Sequence, residues 1–114
     1  MEPKFTVKFF KADSGNEPVR EWLKTALADE ERKIIGRDIK IVQLSWPVGL
    51  PLVKNLESGL WEIRSSFKNR TSRVIFTFYG GQIVLLHGFI KKDQKTPKGD
   101  LELARKRKDL FLRG

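Results

Sequence analysis

The stretch from Lys54 to Lys98 constrains the fold more than any other part of the chain. It contains three runs of apolar, aromatic and β-branched residues, joined by links of about five and two residues. Links this short favour hairpins, because parallel strands need a crossover of roughly a dozen residues or more. The stretch therefore predicts an antiparallel three-stranded meander, with strands over Leu60–Phe67, Arg73–Tyr79 and Gln82–Ile90.

The residues before the meander predict a strand and a pair of helices. Phe5–Phe10 alternates between apolar and polar side chains, as a short strand does. Two segments with apolar residues at helical spacing follow; the first ends near Ala28 and the second begins at Asp29. Together they predict an α-helical hairpin, and Leu52–Leu56 adds a short extended piece before the meander.

The residues after the meander predict a closing helix. Thr96 is expected to cap it, with Pro97 at the first helical position, where proline loses no hydrogen bond. The run Arg105–Lys108 places four basic side chains in about one turn, which indicates either a solvated helix face or a contact for a polyanion or a protein. At 114 residues the chain is predicted to form one α+β domain over residues 1–114.

The charge balance favours polyanionic partners. The chain carries 23 Lys and Arg against 14 Asp and Glu, for a net charge of +9. Such an excess suits RNA, DNA, an anionic membrane surface or an acidic protein, although it also serves solubility alone. The absence of cysteine excludes disulfide and thiolate chemistry. Without an apolar leader or a membrane-length apolar run, a cytoplasmic protein with no membrane partner is expected.

Alternation along the predicted strands separates a buried face from a polar one. Glu62, Arg64 and Arg73 project from the same side of the meander if the strands pair in the expected register. Arginine binds phosphate oxygens in a bidentate manner and lysine adds point charges, so this face is a candidate phosphodiester site. The alternative is a surface salt bridge from Glu62 to either arginine. Further basic residues are candidate RNA contacts: Lys68 and Arg70 in the first link, and Lys91, Lys92, Lys95 and Lys98 after the third strand.

No other site chemistry is evident in the sequence. His87, the only histidine, lies in an apolar run, where a hydrogen-bonded structural role is commoner than catalysis, so it is kept as a possible site residue only. One histidine and no cysteine do not supply a usual zinc site. No nucleotide-binding fingerprint is present. No metal and no cofactor are therefore expected.

Several blocks of residues resemble the HigB-like toxins of the RelE/ParE superfamily, a phage-derived, host-inhibiting type. The resemblance covers nearly the whole chain and includes the order strand, two helices, three strands, helix. The blocks that carry it are Leu56-x-x-Gly59-Leu60-Trp61-Glu62-Ile63-Arg64, Arg73-Val74-Ile75-Phe76, Leu85-Leu86-His87-Gly88-Phe89-Ile90-Lys91-Lys92, Lys95-Thr96-Pro97 and Glu102-x-Ala104-x-x-Arg107.

The resemblance implies the toxin of a type II toxin–antitoxin pair, which cleaves mRNA in the ribosomal A site. Its implied partner is a helix-turn-helix antitoxin, through which alone the toxin would reach operator DNA. Arg64 and Arg73 match basic positions that bind the scissile phosphate, and Lys91 or Lys92 matches the basic position after the last strand. Glu62 stands where some relatives carry lysine. The sequence lacks the base-stacking aromatic that some relatives carry after Lys92.

These matches give a working hypothesis of metal-independent RNA cleavage by the ribose 2′-OH. Arg64 and Arg73 would stabilise the phosphoryl oxygens. Glu62 would accept the 2′-OH proton, and Lys92 would protonate or stabilise the leaving 5′-oxygen. Two alternatives stay open: a ParE-like inhibitor of DNA gyrase with the same fold, and a basic RNA- or protein-binding module without catalysis.

Overall fold

The protein is described by a computed structural model that covers residues 4–92 and 95–114. Residues 1–3 and 93–94 lie outside this description. They include the position after Lys92, where the sequence lacks the base-stacking aromatic. The elements follow the predicted α+β order. They are β1 (Thr6–Phe9), α1 (Pro18–Thr25), α2 (Asp29–Ser45), β2 (Val53–Glu57), β3 (Leu60–Ser66), β4 (Thr71–Tyr79), β5 (Gln82–Ile90) and α3 (Lys98–Arg113).

All five strands form one mixed sheet in the order β1-β5-β4-β3-β2. The antiparallel meander of β3, β4 and β5 is confirmed. Its second turn uses Gly80 and Gly81 at φ +58° and +76°, a conformation that glycine adopts without steric cost. The extended piece is β2, which pairs antiparallel with β3, and β1 joins the far edge parallel to β5.

The helical hairpin covers one face of the sheet. α1 packs against β5 and β1, and α2 packs against β3. Ile35 and Val42 of α2 are completely buried and belong to the same cluster as Ile63, Val74 and Phe76 of the meander. These apolar side chains alternate along the strands as predicted, since a one-residue slip would turn all of them to the other face.

The third helix covers only part of the opposite face. Ala104 of α3 is buried in a second cluster with Leu60, Ile75 and Val84. Because α3 packs mainly against β5 and β4, it leaves the β3 side of this face less covered. That uncovered part of the sheet is where the polar residues of the meander project.

Three members of the basic run on α3 bind within the chain. Arg105 makes a bidentate ion pair with Glu57, with the shortest distance 2.6 Å. The Lys108 ammonium donates to the carbonyl of Ser58 at 3.5 Å. Arg107 donates to the Leu86 carbonyl at 2.8 Å. The β4–β5 register shifts at this point, so Leu86 has no paired residue on β4. The basic run therefore contributes contacts that hold α3 against the sheet, instead of forming only a solvated helix face.

The predicted cap of α3 is wrong by one position. Pro97 occupies the N-cap and the helix begins at Lys98, and none of the described side chains caps its first turn. The Thr96 hydroxyl donates instead to Glu62, across the sheet face. Among residues 4–92 and 95–114, no helix is both long and apolar enough to span a membrane.

Gly88 of β5 lies directly beneath Trp22 of α1. A Cβ atom there would stand 2.4 Å from a Trp22 ring carbon, closer than real side chains approach. We predict that Gly88→Ala lowers the free energy of unfolding by about 1–3 kcal/mol, the usual cost of overpacking. Chemical denaturation with circular dichroism measures it.

Gly36 provides the matched control. It lies in the interior of α2, and a Cβ atom there would meet nothing within 4 Å. Gly36→Ala should therefore raise the free energy of unfolding by about 0.4–1 kcal/mol. Equal effects of the two substitutions would contradict the packing of Trp22 on Gly88.

Candidate active site

The strand register brings the predicted charged residues together. Arg64 of β3 stands directly opposite Arg73 of β4, and Glu62 stands opposite Ile75. All three charged residues share the face that α3 leaves partly open, as alternation predicted. Like charges directly opposite each other on neighbouring strands destabilise a sheet, so this pair of arginines is unfavourable unless an opposite charge lies near it.

Glu62 is the carboxylate between these arginines. Only 2% of the residue is exposed. Its Oε1 lies 3.1 Å from Arg73 Nε and 3.8 Å from Arg64 Nε, while its Oε2 accepts a 2.7 Å hydrogen bond from the Thr96 hydroxyl. The salt bridge considered as an alternative is thus present. Within the described part of the chain, one carboxylate facing two arginines nevertheless leaves one positive charge unbalanced.

The two arginines differ in their surroundings. Arg73 is buried, and burial, reinforced by the neighbouring Arg64 charge, lowers the pKa of its guanidinium while Glu62 opposes the shift. Arg64 is more exposed, but its Nε is buried and has no hydrogen-bond partner among the described residues. An anion placed over both guanidinium groups would relieve their repulsion, since each is an obligate cation in water.

A cleft of about 560 Å³ opens beside these residues. Its walls include the β3–β4 end of the sheet, the segment before β2 and one side of α2. Of the residues that the structure describes, four basic side chains and one acidic side chain line it. The lining residues are Arg37, Asp38, Pro51, Leu52, Arg64, Ser66, Thr71, Arg73 and Lys91.

The two lysines after β5 are placed differently. Lys91 is half-buried, lines the cleft, and is fixed by a backbone hydrogen bond of 2.8 Å from its N–H to the Thr71 carbonyl. Lys92 is exposed and does not belong to the cleft lining. Lys95 is also exposed and immediately precedes Thr96, the hydroxyl donor to Glu62. The structure thus brings Lys91, and not Lys92, to the two arginines.

The remaining predicted RNA contacts lie apart from the cleft lining. Arg70 makes a bidentate ion pair with Glu31 of α2, with both distances 2.8 Å, so its guanidinium is largely occupied. Lys68 is exposed in the same link. Lys98 is exposed on α3, with its Nζ 3.9 Å from Glu102. None of the three lines the cleft.

Both ring nitrogens of His87 have partners within the fold. Nε2 lies 2.6 Å from an Asp100 carboxylate oxygen, and Nδ1 lies 3.4 Å from Arg107 Nη1. The ring stacks on Phe89 with centroids 5.6 Å apart. His87 does not line the cleft, and this arrangement matches the hydrogen-bonded structural role.

Two charged members of the cleft lining, Arg37 and Asp38, were not among the residues predicted from the sequence. Arg37 belongs to the polar side of α2, where helical periodicity indicates solvent but not which strand lies nearby. Asp38 is 6% exposed and accepts a 2.7 Å hydrogen bond from the Ser65 hydroxyl. A charged residue in the middle of an amphipathic helix was the available signal for Asp38, because buried carboxylates need a partner.

Fold and site together define a small basic α+β protein with a cleft lined mainly by basic side chains at the open part of its sheet. Residues 21–109 match the family described as phage-derived protein Gp49-like (DUF891), and the chain belongs to that family.

Curated relatives agree with this assignment. The chain is 31% identical over 110 residues to proteins named "Probable endoribonuclease HigB1" from two strains of Mycobacterium tuberculosis, CDC 1551 / Oshkosh and ATCC 25618 / H37Rv. In each case the match covers 95% of this chain and 86% of the relative. The resemblance to HigB-like toxins of toxin–antitoxin systems is thereby confirmed.

The facing arginines generate a stability prediction. Arg64→Met keeps most of the side-chain volume but removes one of the two opposed charges, leaving Glu62 paired with Arg73. The free energy of unfolding should rise by about 0.2–1 kcal/mol. Arg20→Met on α1, an exposed arginine paired with Glu17, should stay within about 0.5 kcal/mol of the parent. A marked loss of stability in Arg64→Met would indicate that Glu62 needs both cations.

The Glu31–Arg70 pair generates a pH prediction. The Arg70 hydrogen bonds, with one from the Ala28 N–H, lower the pKa of Glu31 from 4.5 to about 2. A depressed carboxyl pKa stabilises the fold above pH 4.5, and this contribution disappears as the pH falls towards 2. Arg70→Ala should therefore lower the melting temperature at pH 7 but lose most of that effect near pH 2. Lys68→Ala, in the same link, should show no such pH dependence.

Proposed function

We propose that this protein is the toxin of a toxin–antitoxin pair and acts as an endoribonuclease on mRNA. The observation that carries the proposal is the pair of facing arginines beside an open cleft, a surplus of positive charge suited to a phosphodiester. The curated relatives bear the name endoribonuclease, which supports this chemistry over gyrase inhibition or simple binding.

The proposed reaction is an internal transfer at phosphorus. The ribose 2′-oxygen attacks the adjacent phosphate, forms a new P–O bond and loses its proton, while the bond from phosphorus to the 5′-oxygen breaks. The products are a 2′,3′-cyclic phosphate and a 5′-hydroxyl. Arg64 and Arg73 stabilise the charge on the non-bridging oxygens, a contribution of about 3–4 kcal/mol for a well-placed donor.

Glu62 is the proposed acceptor of the 2′-OH proton. Among residues 4–92 and 95–114 it is the carboxylate that lies beside both arginines, and Thr96 holds its second oxygen in place. The same contacts support a positioning role, because Glu62 also fixes the buried Arg73. Proton transfer to Glu62 therefore requires the RNA to approach an oxygen that already has a partner.

The acid that completes the reaction is proposed to be a lysine after β5. Lys92 was the candidate from the sequence, whereas Lys91 lines the cleft. Either ammonium can protonate the leaving 5′-oxygen or stabilise it as a fixed cation. If Lys91 is the acid, Lys91→Ala will slow cleavage much more than Lys92→Ala. The reverse ranking would assign the role of the acid to Lys92.

The proposal includes partners and a place of action. Membership of a toxin–antitoxin family implies an antitoxin partner. We propose that it is a helix-turn-helix protein, that operator DNA is reached only through it, and that mRNA is cut in the ribosomal A site in the cytoplasm. No metal ion is proposed to take part in the chemical step.

Expression without antitoxin tests the arginines. Primer extension on cellular mRNA should show discrete cuts for the parent chain, and Arg64→Ala or Arg73→Ala should lower the cleavage rate by roughly 10²–10³-fold each. Arg20→Ala, remote from the cleft lining, is the matched control. Circular dichroism checks that each variant folds, which matters most for the buried Arg73. Wild-type cleavage by the folded double variant would refute the assignment.

The same experiment separates the alternatives. DNA damage without mRNA cuts would favour a ParE-like gyrase inhibitor. A third outcome is growth arrest without mRNA cuts and without DNA damage. If RNA binding also weakens steeply with salt, this outcome would favour a non-catalytic module.

Glu62→Gln tests the proton acceptor. The amide keeps the shape but has a single acceptor oxygen, which can serve Thr96 or Arg73 and not both, and it cannot take up a proton at neutral pH. The cleavage rate should fall by roughly 10²–10⁴-fold if Glu62 is the base. A folded Glu62→Gln variant with nearly parental rates would assign Glu62 to positioning alone and leave the arginines in place.

A further inference from the structure

We propose that Arg37 forms a second phosphate-binding subsite, which takes the phosphodiester next to the one held by Arg64 and Arg73. The inference deepens the proposed function and rests on it for the identity of the ligand, a single strand of RNA. The subsite itself rests on the geometry of the cleft, to which α2 contributes from the opposite layer of the fold.

Arg37 reaches the cleft although its helix packs on the other face of the sheet. Its side chain is 66% exposed and lines the cleft with Arg64, Arg73 and Lys91. Its Nε and Nη2 each lie 3.4 Å from one Asp38 oxygen. Contacts of this length orient the guanidinium without saturating it, since strong ion-paired hydrogen bonds are about 2.7–2.9 Å long.

Asp38, the carboxylate that Arg37 contacts, is itself held by a hydrogen bond. Asp38 is buried, and its other oxygen accepts the 2.7 Å hydrogen bond from Ser65 of β3. This contact ties α2 to the strand that also carries Arg64. Arg37 and Arg64, one from each proposed subsite, therefore lie on elements that are hydrogen-bonded to each other.

The charge balance of the cleft suits two phosphates. Among the described residues, four cationic side chains line it, and Asp38 and Glu62 are the carboxylates in contact with them. Four positive and two negative charges leave two positive charges uncompensated. Each phosphodiester in an RNA strand carries one negative charge, so two neighbouring phosphates neutralise the cleft.

The lining supplies further donors and sufficient space. The hydroxyl groups of Ser66 and Thr71 also line the cleft, and hydroxyls commonly donate to phosphate oxygens. The volume of about 560 Å³ falls within the range of roughly 300–1,000 Å³ that ligand sites occupy. A backbone segment with more than one phosphate can therefore enter.

The competing interpretation is that Arg37 serves only as the surface partner of Asp38. In that interpretation Arg37 does not contact RNA, and its loss costs little stability because exposed ion pairs contribute little. Removing Arg37 would then have almost no effect on RNA binding. The second subsite predicts a loss that depends on the number of phosphates in the ligand.

The test uses two short 2′-O-methyl RNA probes, a dinucleotide with one bridging phosphate and a trinucleotide with two, neither with terminal phosphates. Neither has the attacking hydroxyl, so binding is measured without cleavage. The parent chain should bind the two-phosphate probe about tenfold or more tightly, the effect of one charge-assisted hydrogen bond. Its salt slope should be steeper by about 0.7. Arg37→Ala should lose both gains and keep its affinity for the one-phosphate probe.

Arg20→Ala is the matched control, because Arg20 is also an exposed helical arginine with a long contact to a nearby carboxylate, here 3.2 Å to Glu17. It should keep both gains. If folded Arg37→Ala keeps them as well, the subsite is refuted while the proposed function stands. If the parent chain binds neither probe, the RNA site and the subsite fail together. If affinity is lost equally for both probes, Arg37 belongs to the first phosphate site and the second subsite is refuted.

Discussion

The arrangement of the charged residues on the open face of the sheet depends on the contacts of the buried Glu62 carboxylate. A charge withdrawn from water costs several kcal/mol unless it is paired and hydrogen-bonded. Glu62 meets that requirement through Arg73 on the neighbouring strand and Thr96 beyond the meander. The same carboxylate therefore stabilises the sheet, fixes the buried arginine and joins the segment before α3 to β3.

The arrangement leaves positive charge unbalanced at the cleft, among the residues that the structure describes. Two arginines elsewhere on the fold are matched locally, Arg105 by Glu57 and Arg70 by Glu31. At the cleft, a second arginine stands opposite the first, and the carboxylate between them cannot satisfy both. Free proteins tolerate such unfavourable local electrostatics where a ligand relieves them, which is why perturbed charged groups cluster at functional sites.

The shared face of Glu62, Arg64 and Arg73 could be predicted because short links fix the register of hairpins and strands alternate with a period of two. The position of β1 beside β5 could not, since it pairs residues far apart in the chain. Thr96 was assigned to a helix cap because local patterns carry no information about Glu62, which is distant in sequence. Arg37 was missed for the same reason: helical periodicity separates apolar from polar sides but does not identify the neighbour of a polar side.

The bond from Thr96 to Glu62 has a consequence for how the protein is made. Thr96 and α3 are synthesised after all five strands, so a growing chain can pair its meander while Glu62 still lacks its second partner and the apolar residues beneath α3 remain uncovered. Folding during synthesis proceeds from the N-terminus, so the segment around Thr96 joins strands that are already made. Glu62 thus obtains its second partner, and the charged face its final form, only after Thr96 has left the ribosome.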